Sequence, residues 1–363
     1  MQSRGHTRAM TDDDPISRAQ AMIADGRAHD AARDLRARLE EGRGGALARV
    51  TLVQALLASG DVLGAVAEAR EAVSLNPGLP AVLVALGEAL LAAENLPAAI
   101  SELQRALRLD PDHQEARFLT GRAWAQAGEA DKALEIFAQL DPQATQGLAA
   151  WQARAQAMRT ASRSDPGYVR HLFDQFSADY DARMRGQLAY AAPEILHELA
   201  GLVMHGREGL AILDLGCGTG LAGAVFRPLA ARLDGIDLSP AMIEKARARA
   251  IYDHLAVGDI ESALAGQYDL VLAADTLVYL GDLDPVLRAV RACLRPDGYF
   301  LFTVEAAQEG FELGPKRRWR HSEAYLRSRA AAAGYQIAGF VAAAPRHEAN
   351  VPVRGFAVAL AAG

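Results

Sequence analysis

Small and hydrophobic residues recur at helical spacing through the N-terminal part of the chain. From about 14 to 142, alanine and leucine dominate and the few Gly and Pro stand at regular places. This periodicity predicts helices rather than strands. Pro77 and Pro111 are 34 residues apart, as are Gly87 and Gly121, and Ala31, Ala65, Ala99 and Ala133 keep the same step. Gly26 and Gly60 share it, Gly128 follows two periods later, and Glu94 fills the slot between. Glycine in that slot predicts a left-handed end to the first helix of each pair. Asn76-Pro77 and Asp110-Pro111 predict the end of the second, because proline cannot continue a helix. After Pro166 short β-rich runs alternate with helical stretches: LAILDL, LDGIDL, LAVGDI, YDLVLAA, GYFLFTV, then YQIAGFV and GFAVAL. Such alternation predicts a parallel sheet covered by helices. The last two runs are joined by a short polar loop, Ala344 to Val351, with no room for a helix, so that pair is expected to be antiparallel.

A period of 34 with paired helices resembles the tetratricopeptide repeat. The resemblance is strongest over 46–79 and 80–113, continues over 114–142 where it ends early at Asp141-Pro142, and is weakest over 12–45 where Arg43 replaces the proline. An alanine-rich bundle with accidental spacing is the plain alternative. The resemblance implies an α-solenoid offering a surface to a protein partner or peptide. The expected organisation is a disordered N-terminus at 1–13, repeats at 14–142, a partly helical connector at 143–166 and a strand-and-helix domain at 167–363.

Composition narrows the classes. The chain of 363 residues suggests about two domains. An apolar fraction of 51% and a charged fraction of 23% are globular values, which argue against wholesale disorder. The net charge of −7 makes a nucleic-acid or anionic-membrane partner unexpected. No long uncharged apolar run predicts a membrane span. Residues 1 to 14 carry Arg4, Arg8 and Asp12 to Asp14 without an apolar stretch, so no signal peptide is expected, and Met10 begins a plausible shorter chain. Two cysteines, Cys217 and Cys293, exclude a disulfide scaffold and a Cys-rich metal site; a cytoplasmic location is expected.

The central chemical signal is Ile212-Leu-Asp214-Leu-Gly216-Cys-Gly218-Thr-Gly220, a strand ending in an acid, a glycine turn and a helix start. Gly218, Gly220 and Gly223 also spell the dinucleotide fingerprint. Asp214 argues against that ligand, because a carboxylate before the glycines repels a pyrophosphate and suits an ammonium group. Asp237 closes the next strand only 14 residues after Gly223, and the third strand ends in Asp259. Three acids at the carboxyl ends of successive strands face one crevice.

At these residues the sequence resembles the class I S-adenosylmethionine-dependent methyltransferases, over roughly 168–363. The resemblance implies a seven-stranded Rossmann-like domain with strand order 3-2-1-4-5-7-6 and an antiparallel seventh strand. It implies that Asp214 and the backbone around Gly216, Gly218 and Gly220 hold the amino-acid end of S-adenosylmethionine. Asp237 would bind the ribose hydroxyls, Leu238 and Met242 flank the adenine, and Asp259 with Ile260 cap its edge. The run LAADTLVYL, which contains Ala274, Asp275 and Tyr279, would face the reactive methyl. The opening YVRHLFDQFSADYDARM, with Phe173-Asp174 and Tyr180-Asp181, resembles helices that close over the cofactor in quinone and biotin-pathway methyltransferases, which brings Tyr180 to the cofactor.

Asp275, Tyr279 and His321 are the candidate catalytic residues, although Asp275 also suits a helix cap and His321 a helix start. Cys217 reads as a small residue, not a nucleophile. The basic run Lys316-Arg317-Arg318-Trp319-Arg320-His321 is either a solvated loop or an attractor for an anionic substrate, with Arg346 and His347 able to join that rim. The expected function is methyl transfer from S-adenosylmethionine, releasing S-adenosylhomocysteine, to an acceptor more readily protein or peptide than small molecule. Two other readings stay open: a scaffold whose methyltransferase half has lost activity, and a nicotinamide-dependent oxidoreductase. No metal is expected.

Overall fold

The computed structural model describes residues 14–177, 179–262, 264–314 and 317–362. The expected disordered segment 1–13, Met10 and Lys316 lie outside the described residues. Contacts divide the chain into two compact units, Met1–Thr160 and Ala161–Gly363.

The first unit is a run of antiparallel helix pairs. These are α1 (Pro15–Ala24), α2 (Ala28–Glu40), α3 (Gly45–Ala58), α4 (Val62–Leu75), α5 (Pro80–Ala92), α6 (Leu96–Leu109), α7 (Gln114–Gln126), α8 (Ala130–Phe137) and α9 (Leu148–Thr160). Polar side chains start several of them: Asp61 accepts from Gly64 N–H at 2.9 Å and Asn95 from Ala98 N–H at 3.3 Å. The left-handed turn recurs at every period, with φ of +76° at Gly26, +83° at Gly60 and +77° at Gly128. Glu94 adopts φ +56° in the same slot, so the repeat geometry overrides the local cost of a side chain there.

The second periodic glycine has a packing cause. A Cβ on Gly87 would stand 2.5 Å from Leu103, and one on Gly121 would stand 2.3 Å from the Phe137 ring. The two helices of each pair therefore approach to glycine distance, and the partner side chain is fully buried in each case. Beyond α8, Leu148 and Ala155 of α9 join Phe137 and Leu140 in a small core.

The second unit begins with α10 (Pro166–Phe176), a short turn α11 (Tyr180–Ala182) that runs into a π-type turn at Arg183–Gln187, and α12 (Ala192–Met204). Then follow β1 (Leu210–Leu215), α13 (Leu221–Phe226), β2 (Ala230–Asp237), α14 (Pro240–Ala248), β3 (His254–Val257), β4 (Tyr268–Ala273), α15 (Asp284–Cys293) and β5 (Leu294–Ala306). The chain ends with β6 (Phe311–Leu313), β7 (Trp319–His321), α16 (Glu323–Ala332), β8 (Tyr335–Ala343), β9 (His347–Glu348), β10 (Val351–Pro352) and β11 (Gly355–Ala362).

The main sheet runs β3-β2-β1-β4-β5-β11-β8. The first five strands are parallel, and β11 is antiparallel to both β5 and β8. With β8 and β11 as sixth and seventh strands this is the order 3-2-1-4-5-7-6. Alternation splits the central strands between two cores. Leu213, Leu215, Val271, Ala273, Phe300 and Phe302 pack on one face, and Ile212, Leu270, Leu272 and Leu301 on the other. The sequence pattern did not anticipate β6 and β7, which extend the sheet beside β5, or the β9–β10 hairpin. Runs of two or three residues carry no readable alternation.

Two glycines test the packing argument in opposite directions. Gly121→Ala is expected to destabilise the repeat unit by about 1–3 kcal/mol through overpacking, despite a better helix propensity. Gly201→Ala, on the exposed side of α12 with open space around it, is expected to stabilise its unit by roughly 0.5–1 kcal/mol. Denaturant unfolding of the full chain reads both; stabilisation by Gly121→Ala would refute the close approach.

Candidate functional site

The site assembles at the carboxyl ends of β1 to β4. The glycine turn after β1 is held in place by its neighbours. Gly216, Gly218 and Gly220 have φ of +64°, +54° and +92°, and a Cβ on Gly216 would strike Thr276 at 2.3 Å. The N–H groups of Gly216 and Cys217 both donate to the Ile236 carbonyl, at 2.8 and 3.0 Å. Gly218 N–H donates to Asp237 Oδ2 at 2.9 Å, and Ser239 N–H to Asp237 Oδ1 at 2.8 Å. The end of β2 thus holds the turn. Burial still raises the Asp237 carboxyl above its ordinary range, despite these two donors.

Asp214 lies behind the turn, only 1% exposed. Tyr252 Oη donates to its Oδ2 at 2.7 Å, while Oδ1 is buried without a hydrogen-bond partner. Burial is the first cause that pushes this carboxyl up to about 7. Gly223 explains itself here, since a Cβ on it would stand 2.2 Å from the Tyr252 hydroxyl. The third glycine of the apparent dinucleotide fingerprint makes room for a tyrosine that serves a carboxylate, not for a pyrophosphate.

Asp259 follows β3. Its Oδ1 accepts from Glu261 N–H at 3.0 Å and its Oδ2 from Arg163 Nη2 at 3.0 Å. After β4, Thr276 Oγ1 donates to the Leu215 carbonyl at 3.0 Å, and Asp275 turns into the left-handed region at φ +56°. Asp275 N–H donates to Thr303 Oγ1 at 2.8 Å, and Arg346 Nη1 donates to Asp275 Oδ1 at 2.5 Å.

These elements line a cleft that is partly open to solvent. Among the predicted residues, Tyr180, Gly216, Gly218, Asp237, Leu238, Asp259, Ile260, Ala274, Asp275 and Tyr279 line it. A smaller recess shares Tyr180, Gly216, Gly218 and Ala274 and extends past Thr219 to Tyr190 and Ala222. Phe173 packs edge-on against both Tyr180 and Tyr279, at 6.1 and 5.5 Å between centroids. The segment that carries Phe173 and Tyr180 is fastened at two points. Asp174 Oδ1 accepts from Ser239 Oγ at 2.5 Å, and Asp181 accepts from Thr219 Oγ1 at 2.5 Å and from Arg249 Nη2.

Three expectations change. His321 does not reach the cleft. It is fully buried on β7, its Nε2 at 3.1 Å from the Gly281 carbonyl and its ring stacked on Tyr325, and burial pushes it down to about 4. Gly220 and Met242 do not line the cleft either: Gly220 caps α13, and Met242 is wholly buried in α14. The basic run is not a solvated rim. Arg318 lies 3.8 Å from both Asp275 and Glu305, Arg320 3.5 Å from Glu305, and Trp319 is buried. Arg346 has no exposed surface and pairs with Asp275, Glu305 and Glu348. These guanidiniums neutralise buried carboxylates of the fold itself.

Sequence reasoning missed Arg163 and Ser164 in the lining and Tyr252 behind it, while Val169, Thr276 and Leu280 fall within the two runs assigned to the cleft without being singled out. The three missed residues carry no local signal of their own. Among the described residues, no cluster of His, Cys, Asp and Glu suits a metal ion, and no helix is long and apolar enough to cross a membrane.

Comparison with known proteins agrees with this geometry. Residues 180–337 match the family model described as a methyltransferase domain, and residues 84–149 match the tetratricopeptide repeat. The malonyl-[acyl-carrier protein] O-methyltransferase of Serratia marcescens is 33% identical over 44% of this chain and 62% of its own length. The ubiquinone biosynthesis O-methyltransferase of Bordetella avium is 30% identical over 31% of this chain and 47% of its own. The chain thus spans between about half and three fifths of these relatives. The crystal structure of magnesium protoporphyrin IX methyltransferase from Synechocystis PCC 6803 aligns with a TM-score of 0.46 and 17% identity, over 55% of this chain and 100% of that one. The two family matches thus fall on different parts of the chain, the tetratricopeptide repeat on its helical first part and the methyltransferase domain on the sheet-bearing second part.

Proposed function

We propose that the protein is an S-adenosylmethionine-dependent methyltransferase acting on an acidic oxygen, borne by a protein or peptide that the repeats recruit. The observation that carries the cofactor reading is the convergence of the glycine turn with Asp237, Leu238, Asp259 and Ile260 on one cleft. Asp214 lies behind the turn and does not line that cleft, but its buried Oδ1 lacks a hydrogen-bond partner, and a ligand reaching past the turn could bring one. An ammonium group does so, and a dinucleotide pyrophosphate does not.

The residues fit the rest of that molecule. Asp237 and Leu238 at the end of β2 would hold the ribose and one adenine face, and Asp259 with Ile260 the adenine edge. Held there, S-adenosylmethionine would supply an electrophilic methyl for an acceptor placed in the cleft, with S-adenosylhomocysteine as the product. The chain's own part is positioning and exclusion of water. Phe173, Tyr180 and Tyr279 form the aromatic wall on the acceptor side, and Asp275 is fixed beside them by Arg346. Burial pushes the Tyr279 hydroxyl up to about 12, so it stays protonated at neutral pH and can donate a hydrogen bond but not accept a proton.

The acceptor class follows from what the cleft lacks. No histidine or lysine lines it among the described residues. The carboxylates that do line it, Asp237, Asp259 and Asp275, are engaged by backbone N–H groups or by arginine, whereas a carboxylate acceptor needs no base. The names of both relatives, which are O-methyltransferases, support an oxygen acceptor, and one of them names an acyl-carrier protein. Repeats of this kind support a macromolecular carrier.

Titration calorimetry tests the cofactor. S-adenosylmethionine and S-adenosylhomocysteine are expected to bind at micromolar strength and NADH not at all, with binding lost in Asp237→Ala; no binding of the first two by the wild-type protein would refute the enzyme reading. For the acceptor, label transferred from methyl-tritiated cofactor to proteins in an extract is expected to be released as methanol by mild alkali. Alkali-stable label would refute a carboxylate.

The Asp214 carboxyl adds a pH test. With its folded value near 7, the group is mostly neutral at pH 6 and mostly ionised at pH 8. Affinity for S-adenosylhomocysteine is therefore expected to rise about tenfold across that range, and Asp214→Asn to bind weakly with a flat profile. The sign reverses for the ligand-free fold. A carboxyl raised above its unfolded value near 4 loses stability as pH climbs through 4 to 7. Asp214→Asn is thus expected to melt higher than wild type at pH 8 and alongside it at pH 4.

A further inference from the structure

One wall of the cleft comes from a segment ahead of the matched methyltransferase domain, which begins at residue 180. Ser162 accepts at its carbonyl from Gly281 N–H at 2.7 Å and from Asp282 N–H at 2.9 Å. Ser164 N–H donates to the Tyr279 carbonyl at 2.8 Å, and Arg163 forms a β-bridge with Leu280 between them. Residues 162–164 therefore lie as a strap along the loop after β4, and Gly281 permits the approach: a Cβ there would stand 2.8 Å from the Ser162 carbonyl.

The strap delivers a charge across the cleft. Arg163 lines the cavity, and its guanidinium reaches the end of β3, where Nη2 donates to Asp259 at 3.0 Å and Nη1 to Glu261. Asp259 and Glu261 are both largely shielded from solvent, at 24% and 11% side-chain exposure, and would repel each other without a cation between them. With Glu261 N–H on Oδ1 and Arg163 on Oδ2, the Asp259 carboxylate is held at both oxygens and keeps a lone pair on each for a ligand donor.

We propose that Arg163 is a positioning residue for the reading of the adenine 6-amino group by Asp259, so that a segment ahead of the residues matched to the methyltransferase family sets part of the cofactor selectivity. This rests on the cofactor reading above. A carboxylate fixed in this way rewards a donor at the purine 6-position and penalises an acceptor there. A carboxylate freed from Arg163 turns toward water and discriminates less.

The test compares S-adenosylhomocysteine with S-inosylhomocysteine, whose purine carries oxygen in place of the 6-amino group, by calorimetry on the full chain. Wild type is expected to prefer the amino ligand. Arg163→Ala should weaken S-adenosylhomocysteine about tenfold and change the oxo ligand less than about threefold, so the ratio collapses. Arg163→Lys, which keeps a cation but not the two-pronged fork, should recover part of the ratio. Melting temperatures of both variants separate selectivity from stability. An unchanged ratio in both variants, with or without a general loss of affinity, would overturn the proposal and leave Arg163 as a structural cross-link. Failure of wild type to bind either ligand would instead overturn the cofactor reading, and this proposal with it.

Discussion

The site depends on the grip that the end of β2 takes on the glycine turn after β1. The Ile236 carbonyl receives two N–H groups of the turn, and the Asp237 carboxylate receives a third. A turn pulled so close to its neighbours has no room for side chains, so Gly216 must lack a Cβ because Thr276 stands where it would go. Thr276 in turn ties the chain after β4 to the Leu215 carbonyl. That tie is made just after Asp275 takes its left-handed conformation, with its N–H on Thr303 of β5. One backbone carbonyl and one carboxylate thus set, through a short chain of contacts, the geometry of three strand ends.

Buried charge is handled in two different ways around this frame. Asp275, Glu305 and Glu348 are matched by Arg346, Arg318 and Arg320, so each carboxylate near the β5 end has a cation beside it. Such pairs contribute little net stability, but removing one partner from them is costly because the other charge stays buried. They fix shape. Asp214 has no cation at all, only the Tyr252 hydroxyl and a backbone contact from Gly223, and one of its oxygens is unsatisfied. Six charged residues thus lock the β5 end, with Asp275 at the cleft among them, while one carboxylate behind the glycine turn is left costly.

The same contrast explains what could be read in advance. The repeats were legible because a 34-residue period repeats one steric problem, and Gly87 facing Leu103 reappears as Gly121 facing Phe137. Glu94 shows that the period survives even where its own residue disagrees. The strand ends were legible because an acid before or after a glycine turn is a local pattern, as in Asp214, Asp237 and Asp259. Contacts between distant segments left no such mark. Tyr252 reaches Asp214 across 38 residues, Arg346 reaches Asp275 across 71 and Arg163 reaches Asp259 across 96. His321 was misread for a related reason: a sequence displays a titratable ring but not its burial, and the three residues of β7 are too few to announce a strand.

Closure of the cleft shows how the local and distant signals combine. The α10–α11 segment carries Phe173 and Tyr180 inward, and these rings with Tyr279 exclude water through apolar contact. Its fastenings, however, are polar: Asp174 to Ser239, and Asp181 to Thr219 and Arg249. Water can replace such hydrogen bonds at a net cost of only about 0.5–1.5 kcal/mol each, somewhat more for the charged pair. Both fastenings end beside the cleft, Ser239 next to Asp237 and Thr219 within the glycine turn. Neither is shared with the Arg346 network. The segment over the cleft is thus held by a few side-chain contacts, while the strand ends are held by backbone and by paired charge.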